Sequence, residues 1–330
     1  MIITKTPFRI SFVGGGSDLE SFYKQSTGAV LSTTINKYMY ISSHKFFEED
    51  QLRIKYSKTE TVKDINDVQH PIVKEVLKKT DLGKALEISS TADIPAGTGL
   101  GSSSAFTVGL LHNLYVRANQ YATKEQLATE ACEIEIDKLK EPIGKQDQYA
   151  AAFGGLNIFK FNPNGTVQIE PLHLKKQTYK DLQQNLLMFY MGSARKAADI
   201  LKEQSSNMSN QNKIDTVKEM ASLVPKLRDA LYGEDLLEFG NLLHENWLLK
   251  QSLASKIANQ EINDLYKKAR DAGAIGGKVL GAGGGGFMLL YCEADKQSEL
   301  REAMSPLKEF SFKFEYEGSK LIYIGDEYEQ

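Results

Sequence analysis

Residues 93–105 read Asp-Ile-Pro-Ala-Gly-Thr-Gly-Leu-Gly-Ser-Ser-Ser-Ala, and this segment constrains the fold more than any other. Three alternating glycines, Gly97, Gly99 and Gly101, follow a strand-like run, Leu86 to Ala92. They lead into an apolar helical run from about Ser102 to Ala118. Glycines let backbone N–H groups come close to an anion. A helix N-terminus adds unpaired donors and partial positive charge. The hydroxyls of Ser102, Ser103 and Ser104 can bond phosphate oxygens or a magnesium ion. The bland alternative is a glycine–serine turn with a serine cap, and the strand–turn–helix setting weighs against it. A Walker A loop would need a lysine before the serine, which is missing here. A dinucleotide fingerprint would need G-x-G-x-x-G, whereas the spacing here is G-x-G-x-G.

Two further glycine-rich segments stand near the ends. Residues 7–18 read Pro-Phe-Arg-Ile-Ser-Phe-Val-Gly-Gly-Gly-Ser-Asp. Arg9 lies inside an otherwise apolar strand, so it needs an anionic partner. That partner is a ligand or a structural carboxylate. Asp18 follows the glycine turn, where it bonds ligand hydroxyls or caps a helix over residues 19–25. Residues 276–287 read Gly-Gly-Lys-Val-Leu-Gly-Ala-Gly-Gly-Gly-Gly-Phe between strand-like flanks. Such a bracketed run lets the backbone pass close to another loop or a ligand. A plain hairpin turn is the alternative.

Two acidic residues lie between these segments. Thr123 opens a helix with glutamine three residues on, a capping-box pattern. On that helix Glu135 shares a face with Cys132, Ala131 and Ala128, while Glu133 points nearly the opposite way. An inward carboxylate needs a cation, either a metal ion or a basic side chain. Asp147 sits in Pro-Ile-Gly-Lys-Gln-Asp-Gln, residues 142–148, a loop running into a short helix. A carboxylate there accepts the proton of an attacking hydroxyl or caps the helix.

The rest of the chain fits an ordinary globular protein. Of its 330 residues, 41% are hydrophobic and 25% charged, enough for a core without staples. A net charge of −3 argues against nucleic-acid or membrane-surface binding. The two cysteines are far apart and the five histidines scattered, so no metal spacing is legible. The N-terminus lacks the pattern of an export signal, and no apolar run reaches a membrane span. A cytoplasmic protein is expected. Strands and helices mix without βαβ regularity, which predicts an α+β fold of two domains. The polar stretch near 172–184 is the expected boundary, dividing residues 1–175 from 176–330.

The joint order P-x-R-x-x-x-x-G-G-G-S-D, P-A-G-T-G-L-G-S-S-S, G-K-Q-D-Q and K-V-L-G-A-G-G-G-G-F resembles the GHMP kinases, across nearly the whole chain. Within them, TPFRISFVGGGSDLESFY and IEIDKLKEPIGKQDQYAAAFGGLN look like the sugar 1-kinases of heptose phosphates, with fucose kinases nearby. Galactokinases carry Gly-Glu-His-x-Asp where this chain has Gly14-Gly15-Gly16-Ser17-Asp18. The resemblance implies an N-terminal domain with a left-handed βαβ unit, a ferredoxin-like C-terminal domain and an active site between them. It implies transfer from ATP, with Mg2+, to the anomeric hydroxyl of D-glycero-D-manno-heptose 7-phosphate, fucose or another sugar, the alternative being a catalytically silent nucleotide-binding protein on the same fold; a monomer or homodimer is expected. The nucleotide phosphates would lie on Pro95, Gly97, Thr98, Gly99, Leu100, Gly101, Ser102, Ser103 and Ser104. Ser103 and Glu135 would hold the metal, Asp147 would be the catalytic base, and Arg9 would steady the transferring group. Gly15, Gly16, Asp18, Arg195, Gly283 and Gly284 would meet the acceptor.

Overall fold

The computed structural model describes residues 1–192, 197–255 and 257–325. The chain runs β1 (Ile2–Val13), α1 (Glu20–Tyr23), β2 (Gly28–Lys45), β3 (Leu52–Lys55), β4 (Thr59–Val62), α2 (Pro71–Thr80), β5 (Leu86–Ala92), α3 (Ser102–Arg117) and α4 (Lys124–Cys132). A π-helical turn, Glu133–Lys138, leads to α5 (Gln146–Phe153), β6 (Asn157–Phe161), β7 (Val167–Pro171), α6 (Lys176–Gln184) and β8 (Leu186–Tyr190). Four helices follow: α7 (Ala197–Ser206), α8 (Gln211–Tyr232), α9 (Leu236–Gln251) and α10 (Gln260–Asp271). The end comprises β9 (Gly276–Val279), β10 (Phe287–Tyr291), α11 (Gln297–Met304), β11 (Lys308–Glu309), β12 (Phe314–Glu315) and β13 (Lys320–Ile324).

β2 is the spine of a nine-stranded sheet. Of its 18 residues, those between Leu31 and Ser43 pair antiparallel with β1 along one edge. The other edge takes three partners in turn. Met39–Lys45 pairs with β5, Thr34 and Ile35 with β12, and Gly28–Ser32 with β6. β1 is buried without alternation from Thr6 to Val13, as a strand covered on both faces must be. The helix α3 lies against β1 and β2, and its buried residues run from Ser104 to Leu111 with little interruption.

A second sheet has the order β11-β8-β10-β9, all antiparallel. With the helices after β8 and α11 after β10, this is the β–α–β–β–α–β ferredoxin-like arrangement. The two halves share a core. Leu223, Val224 and Leu227 of α8 and Phe239, Leu242 and Leu243 of α9 belong to the cluster that contains Phe8 and Phe12 of β1. Phe12 meets Phe239 edge-on at 5.2 Å between ring centroids. That geometry is worth ~0.5–1.5 kcal/mol beyond its burial. A smaller cluster surrounds the fully buried Trp247.

The stretch near 172–184, expected as a polar boundary, folds for the most part as α6, anchored through Thr178 and Leu182. Strands from both sides of residue 175 meet in the first sheet, because β12 and β13 pair with β2 and β1. Among the described residues, no helix is long and apolar enough to cross a membrane.

Candidate active site

The loop after β5 is held in an unusual backbone shape. Gly97, Gly99 and Gly101 have φ of +77°, +85° and +75°, in the region that favours glycine. At Gly99 packing forbids a side chain as well, since a Cβ would fall 2.4 Å from the Leu280 carbonyl oxygen. Reciprocally, a Cβ on Gly281 would fall 2.5 Å from the Gly99 Cα. The glycine loops of the two halves therefore interlock backbone to backbone. Gly101 is the N-cap of α3 and brings no side-chain cap. The first N–H groups of a 16-residue helix are thus left for an anion.

Arg9 and Asp147 lie beneath this loop. Arg9 Nε donates to Asp147 Oδ1 at 2.7 Å and Nη2 to Oδ2 at 2.8 Å, a bidentate pair. Arg9 Nη1 donates to the Gly99 carbonyl at 2.7 Å, and the Arg9 amide to the Leu100 carbonyl at 3.1 Å. The buried arginine thus finds its anion in Asp147, brought to it by the first turn of α5. Asp18 faces them from the turn after β1. It does not cap α1, whose N-cap is Leu19. Its Oδ1 accepts from the Gly16 amide at 3.0 Å and its Oδ2 from the Gln146 amide at 3.3 Å. Burial pushes its carboxyl pKa up, and the charge on Asp147 adds to this.

Glu135 is fully buried. The π-helical turn that carries it is wider than an α-turn, a feature frequent at functional sites. Its Oε1 accepts from Ser103 Oγ and its Oε2 from Gln148 Nε2, both at 2.7 Å. Burial raises its pKa, and the bonds from Ser103 and Gln148 oppose that rise.

Glu135 lies buried behind Ser103, and Arg9, Asp18, Ser103 and Asp147 face one cavity of about 200 Å³. Its lining includes Arg9, Gly15, Gly16, Asp18, Gly97, Gly99, Gly101, Ser102, Ser103 and Asp147. Thr98, Leu100 and Ser104 are buried and do not line it, so any contact from Thr98 or Leu100 is through the backbone. From the later glycine loop Gly281 and Ala282 line the cavity, while Gly283 and Gly284 turn to Ile257. Arg195 lies outside the described residues.

The polar lining side chains that sequence reasoning missed include Ser11, Gln146, Gln204 and Lys250. Gln146 Oε1 and Gln204 Nε2 are buried without partners. A signal existed for Lys250. It falls on the stripe Phe239, Leu243, Asn246, Trp247 and Lys250 at helical spacing, where a lysine is out of place. A second cavity of about 740 Å³ adjoins the first through Gly97, Ser102 and Ser103. Tyr56, His70 and Phe106 line it. His70 stacks on Phe106 at 5.0 Å, and Tyr56 meets His70 edge-on at 4.8 Å. Burial pushes the His70 pKa down, favouring the neutral ring.

An anion cradle on a helix N-terminus, next to a paired arginine and aspartate, is the equipment of a phosphotransferase. Comparison with known proteins agrees. The family models described as the GHMP kinases N terminal domain and GHMP kinases C terminal match residues 68–155 and 227–307. Together they span just over half of the chain, which belongs to the GHMP kinases. A D-glycero-alpha-D-manno-heptose 7-phosphate kinase of Campylobacter jejuni is 29% identical over 94% of this chain and 96% of its own length. A galactokinase of Pyrococcus furiosus is 27% identical, covering 97% of each. The crystal structure of a D-glycero-D-manno-heptose 1-phosphate kinase from Bacteroides thetaiotaomicron superposes with a TM-score of 0.81. It covers 99% of this chain and 100% of that one at 24% identity, and so speaks to the fold.

Proposed function

We propose that this kinase moves the γ-phosphoryl group of ATP to the anomeric hydroxyl of a sugar phosphate, D-glycero-D-manno-heptose 7-phosphate, giving the 1,7-bisphosphate. The observation that carries the reading is the meeting of Asp147, Arg9 and the N-terminus of α3 on one cavity. The 29% identity to the heptose 7-phosphate kinase supports the choice of acceptor. The donor's phosphates lie on the backbone of residues 97–103, and its base enters the cavity lined by Tyr56, His70 and Phe106. Asp147 accepts the acceptor's proton while Arg9 fixes the carboxylate and braces the phosphate loop at Gly99. Asp18 and the unpartnered Gln146 and Gln204 serve the sugar hydroxyls.

Among the described residues no group of three or more His, Cys, Asp or Glu side chains could hold a metal alone. A magnesium ion needs fewer, since it keeps waters and takes phosphate oxygens. The buried Glu135 carboxylate beside the Ser103 hydroxyl fits that role. Bound there, the ion would neutralise charge on the phosphates. Glu135→Gln is expected to raise the magnesium concentration for half-maximal activity by roughly tenfold or more. An unchanged magnesium titration would remove Glu135 from that role.

The acceptor is tested by incubating the protein with MgATP and, separately, heptose 7-phosphate, fucose and galactose, then identifying products by mass and phosphorus NMR. The heptose 1,7-bisphosphate is the expected product. Turnover of fucose or galactose alone would reassign the acceptor.

A further inference from the structure

Lys250 reaches the cavity from α9, in the half of the chain opposite the phosphate loop. It is only 5% exposed. Its ammonium donates to the carbonyl of Gly281, the residue seated on Gly99. Arg9 donates to the Gly99 carbonyl itself. Two cations, one from each half, therefore hold the interlocked loops. Their engagement differs. Both oxygens of Asp147 go to Arg9, and the carboxylate of Asp18 goes to backbone amides. The bond from Lys250 goes to a neutral carbonyl and occupies one of three ammonium protons. A desolvated cation that lines a cavity is repaid when an anion enters.

We propose that Lys250 is a catalytic residue whose ammonium contacts the γ-phosphoryl group of the donor across the cavity from the N-terminus of α3. The assignment rests on the kinase reading above. Arg9 on β1, Asp18 after β1, Asp147 on α5 and Lys278 on β9 are the charged groups around Lys250. Lys278 is fully buried, bonded to the Phe12 carbonyl at 3.0 Å, and its pKa is driven well below the ordinary lysine value by burial. Burial, with Arg9 adding to it, pushes Lys250 down to about 8. A phosphoryl anion beside the ammonium favours the protonated form and raises that value. Binding of a γ-phosphate therefore draws a proton onto Lys250 near pH 8. Affinity for a triphosphate then declines as the pH rises beyond 8, because the amine must first be charged.

The test is calorimetric titration at pH 8 with magnesium, in two buffers of different ionisation enthalpy. The probes are ADP and an ATP analogue with an imido β,γ bridge. The wild-type protein is expected to take up about half a proton more with the analogue than with ADP. Lys250→Met should abolish that difference and lower kcat at least ~10²-fold. Lys250→Arg, charged at every pH, should bind the analogue without the decline above pH 8. Equal uptake with ADP and the analogue in the wild type would overturn the proposal, whether or not the variants fold. So would undiminished uptake in Lys250→Met. If neither nucleotide binds, the kinase reading falls and the proposal with it. Nucleotide binding without the difference defeats the proposal alone.

Discussion

Asp147→Asn is expected to fold, to bind ATP as the wild type does, and to lose ~10²–10⁴ in kcat. The contacts explain each part. Asparagine keeps an oxygen that accepts from Arg9, so the cost to the fold stays below the ~3–5 kcal/mol of deleting a buried ionic partner outright. Arg9 also retains its bond to the Gly99 carbonyl, and the phosphate loop stays braced. An amide, however, cannot take the proton of the attacking hydroxyl. In the wild type Arg9 uses one lone pair on each carboxylate oxygen and leaves the others for the substrate. Steady-state kinetics with circular dichroism and a nucleotide titration separate the three statements. Turnover near wild type would exclude Asp147 as the base.

Gly281→Ala should damage the site severely. Gly281 has φ of +70°, which costs an alanine ~1–2 kcal/mol. The new Cβ would also lie 2.5 Å from the Gly99 Cα and 2.9 Å from its carbonyl oxygen. Both are backbone atoms and cannot rotate away. The phosphate loop must shift, so ATP affinity is expected to fall at least ~10-fold, with a lower melting midpoint. Gly15→Ala provides the contrast for stability, since nothing lies within 4 Å of its Cβ position. Its melting midpoint should match the wild type. Unchanged ATP affinity in Gly281→Ala would show that the interlock does not set the loop.

Much of this was legible in the sequence because it is local. The strand Leu86–Ala92 and the helix beginning at Ser102 stand where the apolar pattern puts them. Thr123 caps α4, its hydroxyl accepting from the Gln126 amide at 3.0 Å. Glu135 turns inward because small residues on its face mark the buried side. What stayed hidden depends on distance along the chain. Arg9 plainly needed an anion, but nothing local named Asp147, 138 residues away. The cavity of Tyr56, His70 and Phe106 draws one residue from each of three separate segments, each innocuous alone. The π-helical turn is also invisible, because it changes the helix pitch without a glycine or proline to announce it. α6 was concealed by composition, since only Thr178 and Leu182 of its nine residues are buried.

Two strands that complete the first sheet are synthesised long after its centre, at residues 314–315 and 320–324. A ribosome that has released residues 1–175 has delivered β1 and β2 but neither β12 nor β13. The outer edge of β1 from Ile2 to Lys5 then has no neighbour, and Thr34 and Ile35 face a gap in the ladder. The nascent N-terminal half must wait for residues 314–324 before its sheet can close. An expression fragment cut at that point carries the same open edge, and any trial of it should supply residues 314–324 in trans.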